Sequence, residues 1–156
     1  MGNLRQAPAG EVVRDPVQTY SGRFDRQLDD KGRVALPARL RSALGEEVCL
    51  TRGKDRCVIV VPAAAFDAQA LRLRARVDAG ELHENDLRGF THPASFGTVD
   101  RQGRVVIEEH LREYARLTLG STVKVTGSVD RLEIWNLERY EQIDELNSRA
   151  SSGDSV

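Results

Sequence analysis

Aromatic side chains are scarce in this chain. Four Phe, three Tyr and one Trp are too few and too scattered to build the stacking platforms that hold single-stranded nucleic acids. Trp135, Tyr140 and Phe66 therefore read as core or subunit-interface residues. Cysteine is nearly absent, and the two present, Cys49 and Cys57, lie in apolar β-like runs. They read as buried, reduced thiols of a cytosolic protein; a disulfide between neighbouring strands is the alternative. No apolar run reaches the 18 residues needed to span a bilayer, and the N-terminus lacks the apolar stretch of a signal peptide. No membrane partner is expected, and the expected location is cytoplasmic. Net charge is also missing, at −1, so there is no global pull toward a polyanion. Chemistry is missing as well. There is no Gly-rich phosphate loop, nucleophile elbow or His-Glu-x-x-His motif. His83, His92 and His110 lack metal-ligand spacing. The carboxylate pairs Asp29-Asp30 and Glu108-Glu109 are adjacent, so along a strand they point to opposite faces and serve poorly as acid and base. These absences exclude the common enzyme classes and imply no cofactor and no small-molecule substrate.

What the chain does have is one segment twice. Leu28-Asp29-Asp30-Lys31-Gly32-Arg33-Val34-Ala35-Leu36 returns 71 positions later as Val99-Asp100-Arg101-Gln102-Gly103-Arg104-Val105-Val106-Ile107. A second echo, Asp55-Arg56-Cys57-Val58-Ile59 against Asp130-Arg131-Leu132-Glu133-Ile134, follows at an offset of 75. Two ordered matches with one small insertion indicate internal duplication. Units of half this size cannot each bury a core, so the two are expected to pack on each other.

The repeated segment has a local physical cause. Residues 20–29 alternate, with Tyr20, Gly22, Phe24 and Leu28 on one face, interrupted there by Arg26. This is the pattern of a half-buried strand. Asp29-Asp30-Lys31-Gly32 reads as a type I turn with Gly in the left-handed position. A three-residue loop then sets Asp29 opposite Arg33 across a hairpin. Pro37 opens a short helix closed by Gly45, strands follow near 47–52 and 56–61, and Pro62 opens a longer helix to about Ala79. The second unit repeats the plan: a hairpin over 96–107, a helix over 108–116, strands near 122–126 and 131–135, and a helix from Leu137. The stretch 80–93 is polar, and Pro93 argues against a helix there. The expected organisation is a disordered leader (1–19), a first repeat (20–64), a helical connector (65–93), a second repeat (94–137), and a C-terminal helix with polar tail (138–156). The fold class is α+β, β-rich, with interleaved hairpins, a barrel-like core and peripheral helices.

Charge is unevenly spread. Residues 20–41 carry Arg23, Arg26, Lys31, Arg33, Arg39 and Arg41 against three Asp, whereas 127–156 carries three Arg against seven acidic residues. A chain polarised in this way can offer a basic face to a polyanion. An ordinary solvated surface has such fluctuations too.

At these residues a family enters. Leu28-Asp29-x-Lys31-Gly32-Arg33-x-x-Leu36-Pro37-x-x-Leu40-Arg41, with Val99-Asp100-x-x-Gly103-Arg104 and Leu132-Glu133-Ile134-Trp135, resembles the MraZ family of bacterial transcriptional regulators of division and cell-wall genes. Each half is similar to a SpoVT/AbrB-type swapped-hairpin unit. The resemblance implies double-stranded DNA as partner, bound at promoter direct repeats. It also implies a ring-like homo-oligomer, and with its DNA an association with the nucleoid. Its Asp-x-x-x-Arg motifs fall on Asp29 and Arg33, and on Asp100 and Arg104, with Gly32 and Gly103 supporting the turns. Arg33 and Arg104 are then the candidates for guanine edges or phosphates; as plain structure they would be surface ion pairs worth well under about 1 kcal/mol. Lys31 and Arg101 are candidates for phosphate contacts, and Arg39 and Arg41 could extend the footprint. Two departures stand out: a longer leader, and Glu108-Glu109 where the family commonly has small or proline residues. The second hairpin is expected to bind more weakly. The alternative function is an oligomeric scaffold with little DNA binding, motivated by the near-neutral charge and acidic C-terminal helix.

Overall fold

The computed structural model describes residues 5–6, 12–13 and 19–153. Most of the leader expected over 1–19 thus lies outside the described residues. Its two described pieces, β1 (Arg5–Gln6) and β2 (Val12–Val13), pair antiparallel. The remainder alternates as anticipated: β3 (Arg23–Gln27), β4 (Arg33–Ala35), α1 (Ala38–Leu44), β5 (Glu47–Arg52), a 3-10 turn at Lys54–Arg56, β6 (Val58–Pro62) and α2 (Ala63–Asp78). After α3 (Glu84–Thr91) come β7 (Ser95–Thr98), β8 (Arg104–Val106), α4 (Glu109–Ala115), β9 (Thr122–Ser128), β10 (Arg131–Asn136) and α5 (Leu137–Gly153).

Two of these differ from the pattern-based expectation. The polar stretch 80–93 contains α3, whose first turn is closed by a reciprocal cap. His83 Nδ1 accepts the Asn85 N–H at 2.9 Å, and Asp86 Oδ2 accepts the His83 N–H at 3.1 Å. Pro93 follows the last turn instead of preventing the helix. At the C-terminus, α5 continues to Gly153, into the stretch where a polar tail was expected.

The main sheet has six strands in the order β3-β9-β10-β6-β5-β7, and β4 pairs separately with β8. Matching each strand to its repeat (β3 with β7, β5 with β9, β6 with β10) makes this order a palindrome. Register obeys the same rule: Gln27 faces Thr122 in one half, and Thr98 faces Glu47 in the other. Strands β3 and β9, β5 and β7, β6 and β10, and β4 and β8 all pair across the repeats.

The barrel expectation is corrected. Among the described residues both β3 and β7 are free edges, so the sheet is open. The first hairpin narrows to a single bridge, Leu28 to Val34, because β3 turns to β9 while β4 leaves the sheet for β8. Leu28, Val34, Leu36, Val105, Ile107, Leu132 and Ile134, each at most 3% exposed, join residues of both repeats in one core. Each contributes roughly 1.5–3 kcal/mol of apolar burial. Outside this core, Phe90 of α3 stacks on Phe66 of α2 at 4.7 Å. Tyr140 and Ile143 of α5 pack on Trp135. Cys49 and Cys57 are free thiols with no exposure.

Candidate nucleic-acid interface

The short β4–β8 ribbon arranges the repeated motif. Alternation along a strand sends Val34 and Val105, opposite each other in register, into the core at 0% and 1% exposure. It sends Arg33, Ala35, Arg104 and Val106 to the outer face. Arg33 faces Val106 and Arg104 faces Ala35, which makes the two arginines diagonal neighbours, roughly 7–8 Å apart by sheet geometry. Two side chains 71 positions apart in sequence thus share one solvent-facing surface.

Each arginine is held by its aspartate in the same way. Asp29 Oδ1 accepts the backbone N–H groups of Lys31 and Arg33 at 2.9 and 2.8 Å, and its Oδ2 accepts Arg33 Nε–H at 2.7 Å. Asp100 does the same with Gln102 N–H at 2.9 Å, Arg104 N–H at 2.8 Å and Arg104 Nε–H at 2.9 Å. Donation by the Arg33 backbone N–H is the largest cause holding the Asp29 carboxyl down at about 2, with the side-chain bond from the same arginine adding to it. Asp100 is lowered for the same reasons. Both carboxylates therefore stay charged through the physiological range. Among the described residues, no Nη nitrogen of either arginine makes a hydrogen bond. The aspartate fixes the direction of the guanidinium at Nε and leaves its two-nitrogen edge open, the geometry that meets a phosphate or a guanine edge bidentately.

The turns need their glycines. Gly32 and Gly103 both have φ +78°, where side chains with a Cβ are strained. Their N–H groups donate back to Asp29 O and Asp100 O, and their carbonyls accept Ile107 N–H and Leu36 N–H of the other repeat, both at 2.8 Å. Each turn is thereby clipped to the end of the other repeat's strand. A Cβ on Gly103 would overlap the Arg41 guanidinium, and one on Gly32 would lie 2.7 Å from Arg112 Nη1.

Arg41 therefore packs over the second turn, where sequence reasoning placed it in the DNA footprint. Arg112, which sequence reasoning missed, covers the first turn and donates to Ile107 O at 2.6 Å. The offset of 71 relates Arg112 to Arg41, so the signal was present in the repeat. Lys31 and Arg101 are exposed but are not brought together. The antiparallel ribbon puts their loops at opposite ends, and they occupy non-equivalent loop positions (Lys31 matches Gln102, and Arg101 matches Asp30). Glu108 is exposed 3.8 Å from His110 Nδ1, beyond the end of β8.

Two of the three histidines have local structural partners: His83 caps α3, and His110 Nε2 lies 2.9 Å from Pro93 O. Among the described residues no group of three or more His, Cys, Asp or Glu is placed to hold a metal ion. No described helix is long and apolar enough to cross a membrane.

Comparison with known proteins agrees with the repeat. The MraZ protein family model matches twice, over residues 20–85 and 90–155. Similar curated proteins are named Transcriptional regulator MraZ. That of Roseiflexus castenholzii is 35% identical over 124 residues, covering 80% of this chain and 85% of the relative. That of Moorella thermoacetica is 37% identical over 127 residues, covering 79% and 85%. That of Bifidobacterium longum is 40% identical over 121 residues, covering 77% and 79%. With its motif twice in the sequence, twice in the same hydrogen-bonded geometry and twice in the family match, this chain belongs to the MraZ family.

Proposed function

We propose that this chain is a transcriptional regulator that binds duplex DNA through the β4–β8 ribbon, with Arg33 and Arg104 as its reading residues. The observation that carries this reading is the pair of aspartate-tethered guanidinium groups on one exposed face, each with an open Nη edge. The DNA major groove, about 12 Å wide, admits a two-stranded β-ribbon, and an arginine fork pairs there with guanine O6 and N7. Lys31 and Arg101, at the two ends of the ribbon, extend the cation line in both directions along a phosphate backbone. The relatives' names support the regulatory role.

The finer proposal follows the family pattern. Each repeat acts as a swapped-hairpin unit, several chains assemble as a ring, and the ring sets successive ribbons on direct repeats in promoters of division and cell-wall genes in the cytoplasm, on the nucleoid. Exposed Leu71, Phe96 and Leu146, at 71%, 56% and 59%, are available for contact between copies. The test is a titration of the promoter upstream of the protein's own gene against a scrambled duplex, beside Arg33→Gln/Arg104→Gln. Preference for the promoter that disappears in the folded variant is expected. Equal binding of promoter and scrambled duplex by the wild type would defeat the proposal. Sedimentation at micromolar concentration tests the ring, which a strictly monomeric species would refute.

A further inference from the structure

The two repeats also part company beyond the end of α4, and there the chain has gathered positive charge. A cavity of about 300 Å³ is lined by Arg56, Arg116, Asn136, Glu138, Arg139 and Gln142 and shares no residue with the ribbon. Three arginines face it against one carboxylate, and among the described residues none of the three forms an ion pair. In a chain with slightly more acidic than basic residues, three unpaired arginines around one hollow need an explanation. Packing does not supply it, because Arg56 and Arg116 are exposed and like charges gathered without counter-ions repel one another.

Two of the three arginines are also held in place. Arg56 lies over the Tyr114 ring at 4.9 Å, and Tyr114 is fixed by its hydroxyl donating to Gly53 O at 2.7 Å. Arg139 donates from Nε to Asp55 O at 3.3 Å. Asn136 ties the walls together, donating to Arg116 O and accepting the Arg139 backbone N–H, both at 2.9 Å. The Arg116 side chain makes no hydrogen bond among the described residues. Arg56 and Arg116 sit at φ +68° and +57°, a backbone region that costs less with glycine.

The first repeat shows that the fold does not require this cluster. At the position matching Arg116 it has Gly45, with φ +77°. The counterpart of Arg56 is Arg131, which is neutralised by Asp130 at 2.9 Å. The opening turn of α2, matching that of α5, is Ala63-Ala64-Ala65. A purely structural need would recur in both halves of a palindromic sheet, and this one does not.

We propose that the cavity between the end of α4 and the start of α5 binds a small phosphorylated molecule through its phosphate dianion. Arginine forks match phosphate oxygens bidentately and lose little entropy when already oriented. The cavity also lies beside the positive end of the α5 dipole, although the Arg139 N–H there is already taken by Asn136. Glu138 opposes the anion, so it limits affinity. The volume suits a phosphate with a modest attached group, at the lower end of ligand cavities.

The test is isothermal titration of the full chain with inorganic phosphate and with pyrophosphate, in phosphate-free buffer. Saturable binding at one site per chain is expected. Affinity should fall at least tenfold in Arg116→Gln/Arg139→Gln, rise in Glu138→Gln, and stay unchanged in Arg33→Gln/Arg104→Gln. Non-saturable heat, or equal affinity in Arg116→Gln/Arg139→Gln, overturns the site. Should that variant not fold, Glu138→Gln decides, because failure to tighten overturns it equally. Displacement of phosphate by random duplex DNA would make the cavity part of the DNA footprint and overturn the small-ligand assignment.

Discussion

Replacing Arg33 and Arg104 by glutamine removes two cations from one face of the ribbon while leaving the turns their aspartates and glycines. Each guanidinium is tethered through Nε and offers two Nη nitrogens, enough for one phosphate or one guanine edge. If both meet phosphates, the plot of log affinity against log salt becomes shallower by about 1.8 per bound chain, at about 0.9 for each phosphate no longer neutralised. Between 50 and 200 mM salt, wild-type affinity then falls roughly twelvefold more than that of the variant. Single substitutions should each account for about half of the change, because the two tethers match within 0.2 Å, at 2.7 and 2.9 Å. If the arginines read guanine instead, the slope stays nearly constant and discrimination drops by about 1–3 kcal/mol per pair. Fluorescence anisotropy with a labelled promoter duplex and a scrambled control separates these outcomes. Parallel salt lines with undiminished promoter preference, in a variant that melts like wild type, would refute the ribbon as the interface. A small effect of Arg104→Gln beside a full effect of Arg33→Gln would instead confirm the weaker second hairpin anticipated from Glu108 and Glu109.

Three further outcomes are expected. Asp29 is held down at about 2, below an unfolded value near 3.9. Its contribution to stability is complete above roughly pH 4 and lost as pH falls through its folded value; a carboxyl NMR titration with a midpoint near 3.9 would contradict the tether. Gly103→Ala forces a left-handed alanine against Arg41, and chemical denaturation should show a loss of about 1–2 kcal/mol from the backbone alone; an unchanged midpoint would count against the turn geometry. Burial raises the thiols of Cys49, to about 11, and of Cys57 still further, so a thiol reagent at pH 8 should label neither in the native protein and both in denaturant.

Local features were legible in the sequence because their causes are local. The alternation of Tyr20, Phe24 and Leu28, the Asp-to-Gly turn, Pro37 with Gly45, and Pro62 before α2 each act within a few residues. The structure has strands, turns and helices where they indicate. The tether from Asp29 to Arg33 was legible for the same reason. Strand partnership was not. Nothing near Arg23–Gln27 states that its sheet neighbour is β9, and the nearest candidate, β4, keeps just one bridge. The barrel expectation failed at this step, since closing the sheet depends on where β4 and β8 go. Helix α3 was missed because its cap uses His83 where serine or threonine is usual. Glu84 and Asp86 in the first turn, with Leu87 and Phe90 at helical spacing, were the available signals.

The palindromic sheet also sets a schedule for synthesis. Strand β3 finds its sheet neighbour about a hundred residues later in β9, and β4 waits some seventy residues for β8. At roughly 5–20 residues per second, β3 is complete about 5–20 s before its neighbour exists. Throughout that interval the first arginine-tipped hairpin is outside the ribosome with Leu28, Val34 and Leu36 uncovered by the second repeat. A second nascent chain at the same stage carries the same uncovered surface. Neighbouring ribosomes on one message are therefore the setting in which pairing between chains competes most directly with pairing within one.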